Sequence, residues 1–360
     1  MPTPEQSPAP TPRPEPPPVV IEVPTPPPPP QAVRDEEPEA VERISADLTN
    51  VLLTATDRDR RFVTTLQAGD IRVLEDGVGQ EVVAFERETN AALSIAVLID
   101  ASASQERVLA FEQLAARDFV RSVMRPDRDL AAVVSFTGVA RVELAPTSDP
   151  AAFDEAVGRV RVTHTPDSPE CNDPDTPEDV LRRCTTAVWD SIAITVEKVL
   201  ARTPETARRA IILLSDGDDT SSHLRIFQAV EQAVRHNVAV YSIGIRDRGF
   251  KYGELRRDYL RRVSEETGGR AFFPKQPEDL AAAFAQIESE LRSQYLISYR
   301  PSNRARDGAF RRVEIEITNP QLRRRRLRLL YRRGYYARTD RAEPEAGREE
   351  GKGEREKGKG

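Results

Sequence analysis

Cysteine is almost absent from this chain: Cys171 and Cys184 are the only two in 360 residues, and they share one polar stretch. With no further cysteine and no histidine pair beside them, they do not make a zinc site. Two readings stay open, buried free thiols or a disulfide closing a short loop. The bridge would stabilise by roughly 3 kcal/mol and would imply an oxidising compartment. Histidine is as scarce: His164, His223 and His236 have no metal-binding spacing and read as surface or helix-end residues. No G-x-S-x-G, no phosphate-cradling glycine loop and no paired-metal carboxylate cluster occurs, which removes the usual signatures of hydrolases and nucleotide-binding enzymes. No run of about 18 apolar residues exists, so no helix is expected to span a membrane. A net charge of −6 speaks against a general nucleic-acid binder.

Proline, by contrast, is abundant and uneven, with 15 of the 29 falling before residue 31. The opening MPTPEQSPAPTPRPEPPPVVIEVPTPPPPP favours polyproline II and reads as a semi-rigid spacer. The last stretch, EPEAGREEGKGEREKGKG, has no apolar side chain except alanine. Neither end can bury enough surface to offset chain entropy, so both are expected to be disordered. About 300 residues remain between them, ample for a sizeable core. The chain does not open on a basic and then apolar signal peptide. Spacers of this kind hold a domain away from a wall or membrane. The expected location is therefore exported, periplasmic or at the cell surface, with the signal upstream of Met1; the alternative is cytoplasmic.

From Ser94 to about Lys275, short β-branched runs alternate with amphipathic helical segments. SIAVLI (94–99) is followed by RVLAFEQLAARDFVRSVM (107–124), with Leu109, Leu114, Phe119 and Val123 near helical spacing. LAAVVSF (130–136) and VARVEL (139–144) read as a hairpin turning at Thr137-Gly138. AIILLS (210–215), a helix over 223–236, VAVYSIGI (238–245), a helix over 254–267, RAFFP (270–274) and a long helix over 277–294 complete the run. Apolar strands alternating with helices predict an α/β, doubly wound and mostly parallel sheet covered on both faces. The flanks follow another grammar. LTNVLLTATD (48–57), DIRVLEDGVGQEVVAFERE (70–88), QYLISYRP (294–301), FRRVEIEIT (310–318) and LRLLYRRGYYA (327–337) are alternating strands with hairpin signals. Each group is too small for its own core. The expected organisation is a spacer (1–40), N-terminal strands (41–91), an inserted α/β domain (92–295), C-terminal strands completing one flanking β-sandwich (296–338), and a charged tail (339–360). The basic run LRRRRLRLLYRR (322–333) reads first as a strand with a solvated basic face, and second as an anion-binding patch.

Ligands of doubly wound sheets bind where loops leave the carboxyl ends of strands. Asp100, Ser102 and Ser104 leave the first strand there. Asp216 and Gly217 leave another, and CTTAVWDSIAI between them starts a helix with Thr185 or Thr186 near its N-cap. One rim thus offers two carboxylates, several hydroxyls and no soft donor. Hard oxygens suit Mg²⁺ or Mn²⁺, and Ca²⁺ less well because no carboxylate cage surrounds the spot.

Asp-x-Ser-x-Ser at 100–104, the threonine before AVWD and LLSDGDDTSS resemble the metal-ion-dependent adhesion site of von Willebrand factor type A (VWA) domains. The resemblance covers roughly residues 92–295, with all three motifs in family order. The flanks, LQAGDIRVLEDGVGQEVVAFE and YLISYRPSNRARDGAFRRVEIEI with RRGYYA, resemble exported bacterial VWFA-related proteins. The resemblance implies that Ser102, Ser104 and Thr186 coordinate the cation through hydroxyl oxygens, with Asp100 and Asp216 acting mainly through water. Ala103 stands where many relatives have glycine, as do Cys184 and Thr185. Thr186 is preferred over Thr185 because it directly precedes AVWD. Trp189 reads as core, and Asp190 as either a helix-face residue or one that orients the metal shell. The insertion 164–184, with its acidic residues, is expected on the same rim.

The function implied is a non-enzymatic, divalent-metal-dependent protein-binding module. Its ion would take an exposed Asp or Glu of a protein partner. Alternatives are an intracellular VWA adaptor for an ATPase-driven assembly system and a metal-dependent hydrolase. The latter is opposed by the lack of a His or Lys base beside the site.

Overall fold

The computed structural model describes residues 48–59, 61–88, 90–162, 168–245, 254–276 and 279–339, all within the compact unit Ala46–Gly360. The proline-rich spacer, the charged tail from 340 onward and His164 lie outside these residues.

Strands β1 (Thr49–Thr56), β2 (Ile71–Glu75) and β3 (Val78–Glu88) precede the helical region. There follow β4 (Leu93–Asp100), α1 (Leu109–Val123), β5 (Leu130–Phe136), β6 (Ala140–Thr147), α2 (Pro150–Arg159), the single turns α3 (Pro169–Asn172) and α4 (Glu178–Leu181), and α5 (Val188–Ile194). The region closes with β7 (Arg208–Leu214), α6 (Ile226–Arg235), β8 (Val238–Ile243), α7 (Arg257–Thr267), β9 (Ala271–Phe272) and α8 (Leu280–Arg292). Six of these strands form one sheet in the order β6-β5-β4-β7-β8-β9. All neighbours are parallel except the β5–β6 hairpin.

The two-sided burial is visible in single strands. In β4, Ile95, Val97 and Ile99 enter one core with Phe119 of α1, Phe153 of α2 and Phe284 of α8. Ala96 and Leu98 enter the other with Ile192 of α5, Ala233 of α6 and Leu260 of α7. Strand β7 repeats the division, with Ile212 on the first face and Ile211 on the second. A run apolar at every position therefore becomes a central strand, because both of its faces are covered.

The flanking strands, with β10 (Gln294–Arg300), β11 (Phe310–Ile317), helix α9 (Pro320–Arg325), β12 (Arg328–Leu330) and β13 (Gly334–Tyr336), form the β-unit expected from both ends of the chain. It is one continuous antiparallel sheet, ordered β12-β1-β10-β3-β2-β11-β13 and curled over a core of Val51, Leu53, Val73, Ile297 and Val313. N-terminal and C-terminal strands interleave, so neither group completes the sheet alone. Asp76 and Gly77, at φ 49° and 82°, make the two-residue β2–β3 turn. Buried Asp129 ties the entry of the inserted domain to its exit: its carboxylate accepts from the Leu93 and Arg125 N–H groups, each at 2.8 Å, and from the Arg292 guanidinium.

Three readings are corrected. Leu114 is 59 % exposed, because α1 buries Leu109, Glu112, Ala116, Phe119, Val120 and Val123, a stripe that Leu114 does not join. The basic run is not one strand. The Asn319 side chain accepts from the Gln321 N–H at 2.9 Å and Pro320 occupies the first turn, so α9 forms first and stops at left-handed Arg326 before β12 begins. The helices read from 223, 254 and 277 begin at Ile226, Arg257 and Leu280.

Candidate metal centre

Strand order creates the site. From β4 the chain passes to β5 on one side and later returns to β7 on the other, so the loops after β4 and β7 diverge over a crevice. Asp100 is the last residue of β4, and Asp216 follows β7 by two positions. Gly217 turns the second loop at φ 76°, where a Cβ would come 2.8 Å from Leu260 Cγ.

Asp100 is fully buried. Its Oδ1 accepts from the Ser102 N–H at 2.9 Å and its Oδ2 from the Ser215 hydroxyl at 2.6 Å. Burial first, and the Asp216 carboxylate second, raise the Asp100 pKa to about 7. Two buried carboxylates that repel each other favour a proton or a nearby cation. With both oxygens engaged, Asp100 is better placed to fix the loop and act through water than to ligate directly.

The hydroxyls of Ser102 and Ser104 lie 3.2 Å apart. That is a hydrogen-bond distance, and it is also close to the spacing of adjacent oxygen ligands around a divalent cation. Ser104 Oγ also accepts from Gln105 Nε2 at 3.1 Å. Among the described residues no group of three or more His, Cys, Asp or Glu is arranged to hold a metal.

The third loop is zipped to the second. Thr186 N–H donates to Thr220 Oγ1 at 2.8 Å, and the Thr186 carbonyl accepts from the Thr220 and Ser221 N–H groups at 2.8 and 3.0 Å. The Thr185 hydroxyl is spent on the Arg182 carbonyl and Ser221 Oγ, each at 2.8 Å. Thr186 carries no such commitment in the described contacts, which favours it as the donor. The insertion meets the same rim, where Gly138 N–H donates to the Arg182 carbonyl at 2.9 Å. Cys171 and Cys184 are disulfide-bonded.

Asp190 does not face the site. It accepts from the His223 and Leu224 N–H groups at 2.9 and 2.8 Å and contacts the His223 ring at 3.0 Å. Trp189 is core, packed edge-on to Tyr259. Sequence reasoning read the polar run after Asp216 as part of the rim and missed its capping role. Asp219 Oδ1 accepts from the Val188 N–H at 2.8 Å, and Ser222 Oγ accepts from the Trp189 and Asp190 N–H groups at 3.0 and 3.2 Å. The N-terminus of α5 is capped from a distant loop. An Asp-Thr-Ser-Ser run is a capping composition, but its target helix was not visible locally. Glu112 was missed as well, although its spacing from Leu109 and Ala116 places it on the buried stripe of α1.

A doubly wound sheet whose switch-point rim carries Asp-x-Ser-x-Ser, a threonine before a helix and Ser-Asp-Gly is a VWA-like fold. No protein-family model matches the chain, and no curated protein matches it. Solved structures do. The chain is similar to proximal thread matrix protein 1 from the mussel byssus, at 16 % identity and TM-score 0.46, over 60 % of this chain and 50 % of that one. A further structure of that mussel protein has a zinc-occupied MIDAS motif. It is also similar to a von Willebrand factor type A protein from Catenulispora acidiphila, at 15 % identity and TM-score 0.45 over 76 % of each chain. BatB from Bacteroides thetaiotaomicron is similar at 16 % identity and TM-score 0.42, over 56 % of this chain and all of that one.

Proposed function

We propose that this VWA-like domain is a non-enzymatic binding module that captures a protein partner through a divalent cation, Mg²⁺ or Mn²⁺. Ser102, Ser104 and Thr186 would hold the ion by hydroxyl oxygens, with Asp100 and Asp216 behind them through water. The observation that carries the reading is the hydroxyl pair of Ser102 and Ser104, 3.2 Å apart beside the buried Asp100 carboxylate. Bound there, the ion supplies an electrophilic position on the protein surface. Neutral first ligands leave that position short of negative charge, so an exposed Asp or Glu of the partner completes it. The Cys171–Cys184 bridge supports an exported location, since such bonds persist in oxidising compartments.

Thermal melts with added metal test the reading. Mg²⁺ raises the wild-type melting temperature progressively with concentration, because it binds the folded state alone. Thr186→Ala, which removes a hydroxyl with no hydrogen bond in the described contacts, keeps the metal-free melting temperature and loses most of that rise. Equal rises in both proteins would place the ion elsewhere.

A further inference from the structure

Glu112 is fully buried in the first turn of α1, and neither carboxyl oxygen has a hydrogen-bond partner among the described residues. A buried acid without partners is costly, and such a group in a native fold signals a bound water or ion. Glu112 lies within electrostatic reach of both Asp100 and Asp216, and burial with those two charges holds its pKa well above the usual carboxylate range. Its placement follows from the loop after β4. Ser104 is bonded to the Gln105 side chain at 3.1 Å, the Gln105 carbonyl accepts from the Val108 N–H, and the Val108 carbonyl accepts from the Glu112 N–H. Gln105 is buried too, and its Oε1 lacks a hydrogen-bond partner among the described residues. Two buried side chains joined to the Ser104 loop by this run of hydrogen bonds thus carry acceptors without donors among the described residues.

We propose that Glu112 is a positioning residue of the metal centre, a third carboxylate that reaches the ion through ordered water shared with Gln105 and sets how tightly the ion is held. This rests on the metal-centre reading above. Water is the group that fits: it donates to Glu112 and Gln105 Oε1 while its oxygen faces the cation. A filler role explains the site poorly, because α1 elsewhere covers the core with Ala, Phe and Val.

The test uses the full chain with Mg²⁺ and Mn²⁺ as probes. Glu112→Gln keeps the side-chain length and removes the charge. It is expected to match or exceed the wild-type melting temperature in EDTA, and to bind Mg²⁺ about 10- to 100-fold more weakly by calorimetry, the usual cost of losing a group behind the ligands. The electron paramagnetic resonance spectrum of bound Mn²⁺ should also differ from wild type, because the ordered water is lost. If Glu112→Gln does not fold, Glu112→Met, apolar and of similar length, gives the same measurement. Wild-type affinity and an unchanged Mn²⁺ spectrum in a folded variant would overturn the proposal and leave the metal centre standing. Wild-type protein that binds neither ion would instead remove the metal centre itself.

Discussion

At Asp219 one half-buried carboxylate serves two elements. Its Oδ1 accepts from the Val188 N–H at the start of α5 and from the Ser222 hydroxyl in its own loop. Removing it strands a helix-end N–H and frees the loop beside Thr186. Asp219→Ala is expected to cost about 1–3 kcal/mol in urea unfolding, the range for a buried donor left unmade. Asp219→Asn, which still accepts through its amide oxygen, recovers part of that loss. An alanine variant as stable as wild type would mean that water replaces the cap at no cost. Thr185 and Thr186 make a parallel contrast: neighbours in sequence, they differ because, among the described contacts, Thr185 spends its hydroxyl on the protein and Thr186 does not.

At the scale of elements, α9 shows how a run that alternates in sequence can still split. Leu322, Leu327 and Leu329 pack on the flanking core, so the arginines between them stay outside either way. The capping Asn319 and Pro320 decide for a helix, and Arg326 stops it at φ 51°. Left-handed backbone costs a residue with a Cβ about 1 kcal/mol or more, and glycine adopts it freely. Arg326→Gly should therefore raise stability by about 0.5–1 kcal/mol in urea unfolding, and Arg326→Val should lower it. The opposite order would mean that this end of α9 frays and its backbone angle does not matter.

Across the whole molecule, the inserted domain carries a buried charge away from its rim. Glu290 of α8 lies 3.0 Å from Arg270, yet burial outweighs that neighbour and raises its carboxyl to about 7 from an ordinary 4.5. The folded protein holds a proton there that the unfolded chain gives up. The associated stability is full below about pH 4.5 and is lost as pH rises through 7. Glu290→Gln cannot lose it. Its melting temperature relative to wild type should climb between about pH 5 and pH 8. A constant difference across that range would mean that Glu290 stays ionised against Arg270 throughout.

The sequence by itself determined what depends on near neighbours. Apolar runs made β4 and β7, the Asp76-Gly77 pair made a hairpin, and Asp-x-Ser-x-Ser put three oxygen-bearing side chains at a strand exit. Those patterns are set by side-chain periods of two and about 3.6, which any window of the chain exposes. Which loops share a rim was legible only through the α/β grammar; that Asp100 and Asp216 stand together depends on β4 and β7 pairing directly. Tertiary structure alone decided the rest: the cap that Asp219 supplies to α5, the burial of Glu112 with no hydrogen-bond partner among the described residues, and the interleaving of β1, β10 and β3. Glu75 is the clearest case. It stands at the end of an ordinary alternating strand, yet is buried accepting hydrogen bonds from the Tyr299 and Tyr335 hydroxyls, 224 and 260 residues away. No local pattern records such a partner, because the burial that makes the bond necessary exists only after the two ends of the chain have met.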